Sequence, residues 1–181
     1  MGGARAQGLK PAPSTRRLFF ACWPDEQVRS EIVERRRLID GLSPRRVPDH
    51  NLHLTLLFLG NQPAERLPQL LAAAGKLSAQ AFSLRLDRFG WFAGARVAWL
   101  GGPAPAAAQA LVAQLTDLAG ALALTFDQRR FHPHVTLYRK VASQPAFPPP
   151  PVLAWPVREF ALIESLPARP YQVLRTWPLS L

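Results

Sequence analysis

Two tetrads, His53-Leu54-Thr55-Leu56 and His134-Val135-Thr136-Leu137, hold the residue types best suited to chemistry, 81 positions apart in a chain of 181 residues. Imidazole titrates near pH 6.5, so a pair of them can divide the work of proton acceptor and proton donor close to neutrality. In an extended chain His and Thr at i and i+2 share one face, while the aliphatic residues turn to the other. Leu54, Leu56, Val135 and Leu137 then anchor each strand in a core and leave His53, Thr55, His134 and Thr136 facing outward. Where two such faces meet across a cleft, two hydroxyls can donate to the non-bridging oxygens of an anion held between two imidazoles. A phosphodiester suits this arrangement, because in-line displacement needs a base behind the attacking oxygen and an acid at the departing one. Neither metal nor cofactor is expected if His, Thr and nearby cations stabilise the charge. One His-x-Thr strand alone is more often structural than catalytic, and it is the second copy in an equivalent setting that argues for function.

Arg139 lies five residues after His134, near the end of the same strand, where its guanidinium could make a paired contact with phosphate. His50 and His132 stand in loops just ahead of the two strands and are candidates for supporting roles. The four histidines together, His50-x-x-His53 and His132-x-His134, make a competing zinc set. The strand pattern argues against it, since His134 shares a face with Thr136 and the neighbourhood offers no cysteine and only Asp49 as a carboxylate. Arg45, Arg46, Arg129, Arg130 and Lys140 are loop or rim charges that could attract RNA. Phe20 and Tyr138 could stack on a base, although aromatic residues on strands usually belong to the core.

The elements that must position these residues repeat. Arg17 to Trp23 reads as a strand stopped by Pro24, and Asp25 to about Ile39 as a helix capped by Asp25 with a charged outer face. A polar loop over residues 43–51 precedes a buried strand over 52–59 that ends at Gly60. Pro63 to about Ser78 reads as a second helix, Ala81 to Phe89 as a strand, and a turn at Ala93-Gly94 leads to a strand over Arg96 to Leu100. An Ala-rich helix from about Pro105 to Leu122, the pair Arg129-Arg130 and the second histidine strand then follow in the order of the first half. After a Pro-rich linker, Pro145 to Pro151, two more strands are expected near Val157 to Ser165 and Tyr171 to Trp177. The expected fold is therefore α+β, bilobal and pseudo-twofold, with two antiparallel sheets facing a central cleft and helices outside. Residues 1–15 are expected to be a loose basic tail and residues 16–181 one bilobal domain, most simply a monomer.

With 22 Lys+Arg against 12 Asp+Glu the formal charge is +10, typical of chains that meet polyanions. The single cysteine, Cys22, rules out an internal disulfide and suits a reducing compartment, most simply the cytoplasm. No apolar run approaches the roughly 20 residues of a membrane span, so no membrane partner is expected.

The chain resembles the two-histidine (2H) phosphoesterase superfamily, and within it the bacterial and archaeal RNA 2′,3′-cyclic phosphodiesterases formerly named 2′-5′ RNA ligases. The resemblance runs from Arg17-Leu18-Phe19-Phe20-Ala21 through Asn51-Leu52-His53-Leu54-Thr55-Leu56 and Phe58-Leu59-Gly60 to Arg130-Phe131-His132-Pro133-His134-Val135-Thr136-Leu137. The Phe-His-Pro-His block with its following Arg139 is the most specific part, and only the tail before Thr15 and the Pro-rich linker fall outside it. The resemblance implies metal-free hydrolysis of RNA 2′,3′-cyclic phosphate ends, or of nucleoside 2′,3′-cyclic phosphates, to 2′-phosphates. It implies His53 as proton donor, His134 as proton acceptor, and Thr55, Thr136 and Arg139 as phosphate-holding residues. It also implies ATP-independent 2′-5′ joining of RNA ends by the same groups. The alternative reading is a non-catalytic module whose paired histidines only hold an RNA phosphate end.

Overall fold

A computed structural model of the chain describes residues 14–181. The tail expected over residues 1–15 falls outside that range except for its last two residues, and Thr15 already opens the first strand. In chain order the elements are β1 (Thr15–Cys22), α1 (Glu26–Arg37), β2 (Arg45–Arg46), β3 (Leu54–Pro63), α2 (Leu67–Ala74), β4 (Phe82–Leu86), β5 (Arg88–Phe92), β6 (Val97–Gly101), α3 (Ala106–Ala121), β7 (His134–Arg139), β8 (Leu153–Val157), β9 (Glu159–Glu164) and β10 (Gln172–Pro178). The fold is α+β, and every strand pair between these elements is antiparallel.

The main sheet has the order β10-β9-β1-β3-β7-β6-β5, with β2 added beside β7. It narrows at its middle to one residue pair, Leu54↔Val135. The two halves that the sequence predicts as separate sheets are thus hydrogen-bonded at this single point. Leu54 and Val135 hold the same place in the two tetrads, so the pseudo-twofold relation passes between them. Both are fully buried. The core they enter is one continuous cluster on one face of the sheet, built with Val28 and Ile32 of α1, Leu70 and Ala74 of α2, and Leu111, Leu115 and Leu118 of α3. Covering that face with helices leaves the other free to carry polar groups.

Each half is crossed by the other's loop. As β3 and β7 diverge from their shared pair, β2 takes the vacated edge of β7, pairing Arg45 with Arg139 and Arg46 with Tyr138. Val47 N–H donates to Leu137 O at 2.9 Å just beyond. Along β3, Asp127 N–H donates to Phe58 O at 2.8 Å, and the buried Gln62 amide donates to Thr125 O at 2.8 Å. These bonds satisfy strand edges that would otherwise be left open.

Four local expectations are corrected. The first histidine strand does not end at Gly60 but runs on to Pro63, because Gly60 (φ +71°) absorbs a register shift between Leu18 and Phe19 of β1. The second helix is correspondingly shorter. The Ala81–Phe89 strand breaks at Asp87, with β4 leaving to pair with β8 in a separate two-stranded sheet. Sequence does not suggest that sheet because Pro156 interrupts β8, which is tolerated on a strand with one paired edge. Lastly, the outer face of α1 is not uniformly solvated. Arg36 is 2% exposed, donating to Val47 O and pairing with Asp49, and Arg35 donates to the carbonyls of Pro151 and Val152. Buried carbonyls of irregular segments need donors, and these guanidinium groups supply them.

Candidate active site

The Leu54↔Val135 pair sets the geometry of the polar face. Continuing an antiparallel register by one residue on either side brings His53 beside Thr136 and Thr55 beside His134. All four side chains are half-buried, whereas Leu54, Leu56, Val135 and Leu137 are buried on the core side.

The two imidazoles are held by matching bonds. His53 Nδ1 lies 2.7 Å from Asn51 O, and His134 Nδ1 lies 2.7 Å from His132 O, the carbonyl two residues back in each case. A carbonyl only accepts, so each Nδ1 carries the hydrogen and each Nε2 presents its lone pair. In lobe one the Thr55 hydroxyl meets His53 Nε2 at 3.1 Å. Burial pushes the His53 pKa down to about 4, with repulsion from Arg139 and His134 adding to the shift and the Asn51 carbonyl opposing it. Burial likewise lowers the pKa of His134, against the His132 carbonyl, with smaller electrostatic contributions from the neighbouring His132 and Arg129 side chains. Both rings are therefore neutral at pH 7 in the free protein, and a bound anion would favour protonation.

A second matched feature decides where Arg139 points. It lies five positions after His134, an odd offset that strict alternation would send to the opposite face. The β6–β7 register skips Leu137, between Trp99↔Thr136 and Ala98↔Tyr138, and Leu137 and Tyr138 are both buried in the core. This bulge returns Arg139 to the face of His134 and Thr136. The β1–β3 register skips Leu56 in the same way, and Phe58 takes the corresponding place in lobe one. Arg139 itself is exposed.

Several rings that line this face are not evident from sequence. Around His53 stand Phe19 at 4.9 Å, Tyr171 at 5.3 Å and Trp23 stacked at 5.7 Å between centroids. Around His134 stand Phe92 at 5.0 Å and Trp99 at 6.1 Å. Tyr171 is placed by its own N–H, which donates to Asn51 Oδ1 at 3.0 Å. The aromatics named from sequence lie elsewhere: Phe20 is wholly buried, and Tyr138 is a core residue whose hydroxyl donates to Asp40 at 2.6 Å. Alternation along β1 was the available signal, since Phe19 is one step out of phase with the core residues Leu18 and Phe20. Only the register to β3 reveals which phase faces the histidines.

His132 is exposed, with its ring 6.0 Å from that of His134, and His50 is exposed on a short turn over Asp49–Asn51. Among the described residues no three His, Cys, Asp or Glu side chains gather as a metal site would require. Arg129 pairs with Asp127, while Arg45, Arg46, Arg130, Arg139 and Lys140 have no ion-pair partner among the described residues. Nor does any described helix have the length and apolarity to cross a membrane. The buried Cys22 thiol has its pKa raised by burial and stands away from this chemistry.

The chain is similar to characterised proteins over nearly its whole length. A profile of the 2′-5′ RNA ligase superfamily matches residues 24–167. An RNA 2′,3′-cyclic phosphodiesterase of Escherichia coli is 37% identical over 171 residues, covering 91% of this chain and 97% of that protein. The protein of the same name from Thermus thermophilus is 38% identical over 163 residues, covering 82% of this chain and 81% of that one. A crystal structure of E. coli LigT complexed with 3′-AMP superposes with a TM-score of 0.85 at 34% identity, covering 93% of this chain and all of that one.

Proposed function

Because the chain belongs to the 2′-5′ RNA ligase superfamily, we propose that it hydrolyses the 2′,3′-cyclic phosphate at an RNA 3′ end, or on a nucleoside, to a 2′-phosphate and a free 3′-hydroxyl. The observation that carries this reading is the pair of imidazoles on one polar face, each with Nδ1 tied to a backbone carbonyl and Nε2 left to exchange a proton.

His134 Nε2 accepts a proton from water as the water oxygen bonds to phosphorus, and the phosphorus–O3′ bond opposite breaks. His53, protonated when the anionic substrate is bound, gives its proton to O3′. The Thr55 and Thr136 hydroxyls donate to the non-bridging oxygens, and Arg139 stabilises the charge that develops on them. Proton exchange with solvent then restores both rings. The enzyme works as a monomer, without a metal. When the 5′-hydroxyl of a second RNA replaces water, the same displacement joins the ends through a 2′-5′ bond, but water at its bulk concentration favours hydrolysis.

The test is turnover of nucleoside 2′,3′-cyclic phosphates by protein treated with EDTA, with the product identified by phosphorus NMR. Full activity yielding only the 2′-phosphate is expected. Binding without turnover would support a phosphate-holding module instead, and loss of turnover on chelation would overturn the metal-free mechanism.

A further inference from the structure

The cross-strand pair Arg45↔Arg139 places two like charges directly opposite each other. Opposed residues of an antiparallel pair share a face with Cβ atoms about 5 Å apart, and like charges there are destabilising. No carboxylate pairs with either guanidinium among the described residues. The backbone nevertheless holds them together, because Ser43 Oγ donates to Arg139 O at 2.7 Å and accepts from Arg45 N–H at 3.1 Å. Both side chains are exposed. The Leu137 bulge that turns Arg139 onto the histidine face brings Arg45 with it, whereas Arg46, opposite Tyr138, belongs to the other face.

The position of this pair relative to the reaction gives it a ligand. β3 and β7 are antiparallel about Leu54↔Val135, so Arg139 lies along β7 on the side of His53, not that of His134. In the proposed reaction the water enters beside His134 and O3′ departs beside His53. The terminal ribose, and the chain attached to its 5′ carbon, therefore lie on the side of Arg45.

We infer that Arg45, with Arg139, forms a second anion subsite for the phosphodiester that links the terminal nucleotide to the one before it. The inference rests on the proposed hydrolysis and deepens it: the preferred substrate is an RNA end of at least two nucleotides. Arg139 serves the reacting phosphate and fixes one wall of the subsite, while Arg45 addresses the polymer.

The experiment compares kcat/KM on a dinucleotide ending in a 2′,3′-cyclic phosphate with that on the matching nucleoside 2′,3′-cyclic phosphate. The proteins are wild type, Arg45→Ala and Arg46→Ala, the last removing the same charge from the opposite face. Arg45→Ala should lower the dinucleotide-to-nucleoside ratio about tenfold, through KM, as loss of one charge-assisted contact would. It should also flatten the salt dependence of dinucleotide binding by about 0.7 of a logarithmic slope unit. Arg46→Ala should leave the ratio within about twofold of wild type. A dinucleotide with a neutral methylphosphonate at the internal linkage should be insensitive to Arg45→Ala. An unchanged ratio in Arg45→Ala, or an equal fall in Arg46→Ala, overturns the subsite while leaving the hydrolase intact. Failure of the wild type on both substrates overturns the proposed activity, and the subsite with it.

Discussion

The two lobes share a backbone plan and differ in what they hang on it. In both, a carbonyl two residues before the histidine fixes its tautomer, the fourth residue of the tetrad forms a bulge, and the loop from the opposite lobe covers the free strand edge. Beyond the bulge, lobe one carries Phe58 with the Arg17 guanidinium 4.7 Å above its ring, whereas lobe two carries Arg139. On the neighbouring strands the small pair Ala21↔Ala161 in lobe one corresponds to Trp99↔Gly90 in lobe two. Symmetry thus provides two imidazoles held alike, and only their asymmetric neighbours distinguish them, as the proposed division into donor and acceptor requires. A cation beside His53 makes its proton easier to release, which suits the acid.

The largest effects should come from the histidines, with a difference that tells the lobes apart. His53→Ala and His134→Ala are each expected to reduce kcat/KM on a nucleoside 2′,3′-cyclic phosphate by about 10³-fold with an unchanged circular dichroism spectrum. An aryl phosphodiester, whose phenolate leaves without a proton, should recover much of the loss in His53→Ala and little in His134→Ala. Equal recovery would abolish the assigned division of labour.

Making lobe two resemble lobe one, Arg139→Phe should cost about 10²-fold in kcat. It should also move the optimum of kcat/KM to higher pH, because a cation that lowers the His53 pKa is gone. In the wild type the bell for kcat should lie at higher pH than the bell for kcat/KM, since a bound anion opposes the downward shifts of the free protein. Coincident bells would show that substrate does not meet His53.

Smaller effects probe the packing behind the comparison. A Cβ on Gly90 would lie 2.1 Å from the Trp99 indole, so Gly90→Ala should cost about 1–3 kcal/mol in denaturant unfolding. Ala161→Gly at the corresponding place in lobe one involves no such contact with a ring, and its cost should be no more than about 1 kcal/mol. Acid stability reads the burial of His53 directly. His53 takes up a proton more readily unfolded, near pH 6.5, than folded, near 4, so its contribution is intact above 6.5 and is lost as pH falls toward about 4. His53→Asn should flatten Tm over that window.

Much of this was legible in the chain itself. The tetrads carried their own alternation, so which residues of each histidine strand faced the core could be read from Leu54, Leu56, Val135 and Leu137. The repeat of strand, helix, loop and histidine strand implied two related lobes, and Asp25 marked the start of α1, where its carboxylate accepts from Val28 N–H. What a local pattern does not record is pairing. Phe19 and Phe20 are equally apolar, and only the register of β1 against β3 assigns the first to the site and the second to the core. Nothing in the spelling of His134 to Arg139 reveals a bulge, yet that one skipped residue decides whether a guanidinium faces the histidines or the core. The sequence by itself determined which groups could exchange protons, because side-chain chemistry and strand periodicity are local. Tertiary structure decided that they share one face, through a single residue pair at Leu54 and Val135, because strand register and bulges depend on partners distant in the chain.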